Sequence, residues 1–392
     1  MTESLYLVFP NFNGYSMPLL VLVLQAYIFA GLLLHRYVKK KYVADLFLSL
    51  LIFALGHHCY AYIIGFMDWY DTYRTTKINY FFFDFSLGIG PLVYFYVKSI
   101  TTPYFKFKRQ DYWHFIPVVL FVVYGIFTGI YDAMQPGFDK VQNGYWEENI
   151  NFKYVYPFVN VIEYYSLLLY YAFSIQRFIQ YRKQLKHYFS NTYNLELNWL
   201  LSFLVVWTTL FLFHTTMEVI NLAIMDLHWQ QSYWNFIANA LVGIFIGVKG
   251  YFTNVNQLYQ ITFEAKKDKV EAPKTIENQN YMNTWKGKIK SYMLHQRPHL
   301  NPDLTLSELA KQLNLGTKQL SQIINTAFNQ NFKDFINSYR VEAVKTMLAS
   351  DKQKELSLLG IAYECGFNSK ATFNRTFKKF TNRTPSEFLA VR

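Results

Sequence analysis

Ile361-Ala-Tyr-Glu-Cys-Gly-Phe-Asn-Ser-Lys-Ala-Thr-Phe-Asn-Arg-Thr-Phe-Lys-Lys-Phe-Thr-Asn-Arg-Thr-Pro385 decides how the end of this chain folds. Apolar residues recur at helical spacing on both sides of an interruption at Cys365-Gly-Phe367. Ser357 opens the first helix, which ends near Glu364, and Ser369 is placed to cap a second over residues 370–380. Two short helices around a glycine-containing turn make a helix-turn-helix pattern.

The same pattern occurs once more upstream. Thr305-Leu-Ser-Glu308 is a capping box that opens a helix over 307–313. Asn314-Leu-Gly316 supplies the turn, and a further helix follows over 317–328. An amphipathic helix over 281–296 leads into the pair, and a longer one over 334–349 joins it to the second pair. At 1.5 Å per residue that joining helix is about 24 Å long. It can hold two reading helices near one turn of duplex apart, roughly 34 Å. Leu320, Ile323, Phe373 and Phe377 fall on the core side by spacing, and Cys365 reads as buried packing. Residues 281–392 hold 17 Lys and Arg against 8 Asp and Glu, whereas the first 280 residues hold 21 against 18. The basic excess sits where a phosphate-binding surface needs it.

Residues 281–392 resemble the DNA-binding domain of the AraC/XylS family of bacterial transcription regulators. Leu306-Ser-Glu-Leu-Ala310, Leu320-Ser321, Phe332-Lys-Asp-Phe-Ile336, Tyr339-Arg340 and Ala343 carry the likeness in the first unit. Ile361-Ala362, Cys365-Gly-Phe367, Ser369, Phe373, Arg375, Phe377-Lys378, Thr384-Pro385 and Phe388 carry it in the second. Asn382 stands where the family usually has glycine, and Asn tolerates a left-handed backbone better than most residues. The resemblance implies base-edge contacts from the later helix of each unit. These are Lys318, Gln319, Ser321, Gln322 and Asn325 in the first, and Lys370, Ala371, Asn374 and Arg375 in the second, with Lys378 at phosphate. The chemistry suits the roles: Asn and Gln pair with adenine, Lys and Arg with guanine, Ala with the thymine methyl. Double-stranded promoter DNA and RNA polymerase are the partners the resemblance implies.

The front of the chain is different. Mean hydropathy over all 392 residues is only +0.04, because an apolar front is averaged with a polar back. Residues 17–34, 43–66, 79–98, 115–131, 154–176, 198–224 and 232–252 are apolar runs near the ~20 residues that span hydrocarbon as helix. The expected fold is therefore all-α: a polytopic transmembrane bundle of about seven spans over 1–252, a polar connector over 253–280, and the tandem helix-turn-helix domain over 281–392. The first run reads as an uncleaved helix rather than a signal peptide, since nothing before it is basic. Basic residues crowd the first, third and fifth connections (Arg36, Lys39, Lys40, Lys41; Lys98, Lys106, Lys108, Arg109; Arg177, Arg182, Lys183, Lys186). The other connections carry only Arg74, Lys77, Lys140 and Lys153. Basic loops stay cytoplasmic, so the amino terminus is expected outside a bacterial inner membrane. An odd number of crossings then delivers the basic domain to the cytoplasm; six would leave it outside.

His57, His58, Asp84, Glu163, His214 and Glu218 are ionisable residues inside these runs, where a charge is costly, roughly 2.5–3.5 kcal/mol for an Asp, Lys or Arg at mid-helix. They are candidates for a sensing pocket, open to the outside, that takes a small ligand, a proton or an ion; the bland alternative is a hydrogen-bond network that positions helices. Asn235, Asn239, Gly243 and Gly247 form a stripe at four-residue spacing, read chiefly as packing within one bundle and alternatively as a homodimer seam. The connector reads either as flexible coil or as a helical continuation over 251–269. No HExxH, serine elbow, P-loop or paired catalytic carboxylates appear, so no catalytic residue, metal or cofactor is expected. The leading expectation is a membrane-embedded regulator of transcription. Its rivals are a membrane enzyme or transporter with a DNA-binding tail, kept alive by His57-His58 and His214/Glu218, and an anchored regulator released by proteolysis.

Overall fold

A helix satisfies its backbone polar groups internally, and the apolar front of this chain is helical. The computed structural model describes residues 11–72, 83–135, 144–192, 195–224, 229–255, 258, 279–350 and 355–390. Among them no strand forms, and the chain divides into two units: Met1–Phe178 with Asn198–Gln260, and Ile179–Leu197 with Ile261–Arg392.

The first unit contains α1 (Ser16–Lys40), α2 (Val43–Phe66), α3 (Ser86–Thr101), α4 (Ile116–Met134), α6 (Asn198–Ala223) and α7 (Trp229–Phe252), with most of α5 (Tyr156–Tyr188). Helix α2 is the hub: α1, α3 and α7 pack on it, and it is buried along most of its length. Its mean composition explains this, because a helix apolar all round has no face suited to water. Arg36 of α1 forks onto Asp45 of α2 with two bonds of 2.6 Å, and also donates to the Gly250 and Tyr251 carbonyls at the end of α7. Three helix ends are thereby tied by one guanidinium.

Six helical stretches among the described residues are long and apolar enough to cross a membrane: Ser16–Lys40, Val43–Phe66, Arg109–Met134, Glu147–Tyr188, Asn198–Met217 and Gln230–Phe252. The remaining expected span, 79–98, appears as α3, whose 16 residues cover about 24 Å. Residues 79–82 of that run lie outside the described residues. Helix α3 continues through Pro91, which sits in its second turn.

The glycine stripe of α7 is filled from within. A Cβ on Gly243 would touch Ala26 at 3.7 Å, and one on Gly247 would meet Phe29 at 2.8 Å, both on α1. The dimer-seam reading of this stripe is corrected accordingly: α1 of the same chain already occupies it. Helix α7 stops at Phe252, with Thr253 and Asn254 non-helical, so an unbroken helix from Tyr251 into the connector does not form. Apart from Val255 and Leu258, the connector lies outside the described residues up to Gln279.

The second unit contains α8 (Gln279–Gln296), α9 (Leu306–Gln312), α10 (Thr317–Ala327), α11 (Phe332–Leu348), α12 (Leu358–Glu364), α13 (Lys370–Thr381) and α14 (Pro385–Ala390). It has two cores. Ile289, Met293, Leu309, Leu320, Ile323 and Phe335 centre the first. Val344, Ile361, Cys365, Phe373 and Phe377 centre the second. Helix α11 serves both, giving Phe332, Phe335 and Ile336 to one and Val341, Val344 and Leu348 to the other. Truncating a fully buried Phe such as Phe377 costs roughly 3–5 kcal/mol, which makes each small core depend on few side chains.

Candidate nucleic-acid interface

Each reading helix is set by a capped helix before it, a turn and a core stripe. Thr305 and Glu308 close a reciprocal capping box: the Glu308 amide donates to Thr305 Oγ1 at 3.2 Å and the Thr305 amide to Glu308 Oε2 at 2.9 Å. Asn314 takes the left-handed conformation of the following turn at φ 54°, while Gly316 has φ −68°. Helix α10 then buries Leu320, Ile323 and Ile324 and turns Lys318, Gln322 and Asn325 to solvent. Gln319 and Ser321 are half-buried; the Gln319 amide donates to the Tyr281 hydroxyl, and Asn325 donates to Ser321 Oγ at 3.4 Å.

In the second unit Ser357 caps α12 through the Gly360 amide (3.1 Å), and Ser369 caps α13 through the Thr372 amide (3.2 Å). Gly366 has φ +86°, and a Cβ there would run into the His299 carbonyl oxygen and lie 2.9 Å from that of Leu300. Only glycine fits such a backbone and such a gap. Helix α13 buries Thr372, Phe373, Thr376 and Phe377, leaving Lys370, Ala371, Asn374, Arg375 and Lys378 exposed on the other side. Asn382 ends it at φ 58°, the left-handed position for which the sequence pattern had reserved this residue.

Arg340 of α11 joins the two halves. It is 1% exposed, donating to the carbonyls of His299 (2.8 Å), Asn301 (2.7 Å) and Pro302 (3.2 Å) and to Asn337 Oδ1 (3.3 Å). Burial pulls this guanidinium down to about 10, with Asp303 opposing, so it stays charged at neutral pH. The neighbouring His299 is buried, its Nδ1 has no hydrogen-bond partner among the described residues, and burial with the charges of Arg340 and Arg297 holds it at about 4.

Sequence reasoning missed one group at this surface. Residues Ile179–Leu197, read only as the fifth connection, fold with the second unit. Glu196 is 3% exposed; it accepts from Lys333 Nζ at 2.8 Å and from Thr192 Oγ1 at 2.5 Å, and lies 3.6 Å from Arg375. Burial alone pushes its carboxyl up, but the hydrogen bonds from Lys333 and Thr192 and the charges of Lys333 and Arg375 outweigh that and hold it at about 2. A single glutamate before an apolar run is a faint signal, because nothing local says which cation it meets.

Of the candidate sensing residues, Asp84 and Glu163 come together. Ser86 Oγ lies 2.8 Å from Glu163 Oε2 and 3.1 Å from Asp84 Oδ2. His57 Nε2 bonds the Phe83 carbonyl at 2.5 Å beside the Phe85 ring. His58 lies against Phe236, and His214 Nδ1 is 3.2 Å from the Asn235 amide. Glu218 is on α6, but its side chain lies outside the described residues. Among the described residues no three His, Cys, Asp or Glu converge as metal ligands.

Residues 309–390 match the family model described as a helix-turn-helix domain. Uncharacterized HTH-type transcriptional regulators of Staphylococcus aureus strains MSSA476 and N315 are each 32% identical over 117 residues, which is 30% of this chain and 15% of theirs. The HTH-type transcriptional regulator CdhR of Pseudomonas aeruginosa is 28% identical over 93 residues, 24% of this chain and 27% of its own. The chain thus spans about a seventh of the length of the S. aureus relatives it matches. No solved structure matches it. The C-terminal part of this chain is an AraC-type helix-turn-helix domain.

Proposed function

We propose that this protein is a membrane-embedded one-component transcription regulator, whose bundle receives a signal and whose C-terminal domain binds promoter DNA. The observation that carries the reading is the pair of helices α10 and α13, each with an apolar face buried and a Lys/Asn/Gln/Arg face open, on a chain with six membrane-length apolar helices. Base-edge contacts fall to Lys318, Gln322 and Asn325 on the first and to Lys370, Ala371, Asn374 and Arg375 on the second, with Lys378 at phosphate. Gln319 and Ser321 join them only if their present side-chain bonds are exchanged for DNA. Interaction with RNA polymerase follows from the regulatory role.

In this reading α3 counts as a crossing. The basic connections then lie in the cytoplasm with the DNA-binding domain, and the amino terminus lies outside. The signal acts on the bundle through Asp84, Glu163 and the histidines near them, and it must bind two arrangements of the bundle unequally to shift their populations. Crosslinking the full-length protein to chromosomal DNA in cells and sequencing the captured fragments tests the function. Arg375→Ala is expected to lower recovery of the enriched sites with membrane insertion intact, since losing one such base contact costs about 1–3 kcal/mol. Fragments no more enriched than sheared background, with protein present in the membrane, would reject the reading.

A further inference from the structure

Residues Ile179–Leu197, which comprise the last turns of α5 and the stretch that leads into α6, belong to the unit that holds both reading helices. Phe189 pairs with Thr305 in an isolated antiparallel bridge, and the Ser190 amide and hydroxyl both donate to the Leu304 carbonyl, at 3.3 and 2.7 Å. The buried Arg340 donates to Ser190 Oγ at 3.1 Å. Lys333, itself buried, donates to Thr192 at 2.5 Å and to Glu196 at 2.8 Å. Ser190 and Thr192 are fully buried and Glu196 nearly so.

We propose that this segment is an autoinhibitory clamp, in which Glu196 occupies Arg375 and sets a carboxylate at the edge of the DNA-reading surface. The inference rests on the DNA-binding reading above. Arg375 is 55% exposed on its side chain and 3.6 Å from Glu196, so the pair stands at the rim of α13 rather than in its core. A duplex that engages Arg375 must take it from Glu196, a carboxylate that Lys333 at 2.8 Å and Arg182 at 3.4 Å hold in place, so the complex gives up that pairing. The charge persists across physiological pH, because Lys333 and Thr192 hold Glu196 ionised. Release therefore needs movement of the segment rather than titration. Both of its ends run on into α5 and α6, so a rearrangement of those helices is the event that can pull Glu196 from Lys333 and Arg375 and free the reading surface.

The test uses full-length protein in lipid nanodiscs and a labelled random-sequence duplex about three helical turns long. Antiparallel partners sit roughly 4.5–5.5 Å apart at Cα, within disulfide reach, so Phe189→Cys with Thr305→Cys can be locked by oxidation. Both native cysteines are buried. The oxidised double variant is expected to bind duplex about tenfold more weakly than the reduced form, with recovery on reduction, and Glu196→Ala to bind about tenfold more tightly than wild type. Equal affinity of the oxidised and reduced forms, or wild-type affinity in Glu196→Ala, overturns the clamp. Protein that binds no duplex in any form overturns the DNA-reading proposal, and the clamp falls with it.

Discussion

At the scale of single residues, two turn glycines that look alike in the sequence do different work. Gly366 holds φ +86° against two carbonyl oxygens, whereas Gly316 has an ordinary φ and its nearest neighbour is Gln319 Cβ at 4.0 Å. Asn314 has taken the left-handed position in the first turn. Gly366→Ala is therefore expected to destabilise the domain by about 1–3 kcal/mol from backbone strain alone, and Gly316→Ala to be nearly neutral, as thermal unfolding would read. A comparable loss in both would remove the distinction. His299 supplies a pH signature. Its folded value of about 4 lies below the ordinary 6.5, so the unfolded chain binds the proton more readily. Stability is thus expected to fall as pH drops from about 6.5 toward 4, and His299→Leu to flatten that slope in denaturant titrations. The sequence showed a histidine beside Pro298; burial and the nearness of Arg340 came only with the fold.

At the scale of elements, helices were legible because caps and apolar spacing are local. Thr305, Ser357 and Ser369 were read as caps or helix starts, and each accepts the expected amide. What a helix packs against was less legible. The stripe Gly243/Gly247 signalled close approach without saying to what, since a small residue accepts any neighbour; α1 fills it through Ala26 and Phe29. Gly247→Val is expected to force α1 and α7 apart and lower the melting temperature in detergent, whereas Gly243→Ala should be tolerated. Equal melting of Gly247→Val and wild type would mean that the two helices do not meet there. Helix α11 was expected as a spacer. It is also a shared wall, because its two halves complete different cores.

At the scale of the whole molecule, the decisive quantity is the parity of crossings. In the proposed topology, drawn from the basic connections and the basic C-terminal domain, α3 counts as a span although its helix is only 16 residues long. A short span is accommodated by local thinning of the bilayer. A fluorescent reporter fused at Arg392 that folds only in the cytoplasm should be bright, and a phosphatase at the same site inactive. The opposite pair of results would reject the topology.

Composition and periodicity by themselves determined that this chain has an apolar helical front and a basic tandem helix-turn-helix end, because both signals are written in neighbouring residues one helical turn apart. Tertiary structure alone decided that Glu196 meets Lys333 and Arg375, and that Arg340 is sealed among the His299, Asn301 and Pro302 carbonyls. Those partners lie from 38 to 179 residues apart along the chain. Coulomb attraction and hydrogen bonding act on distance in space, and separation along a sequence does not encode it.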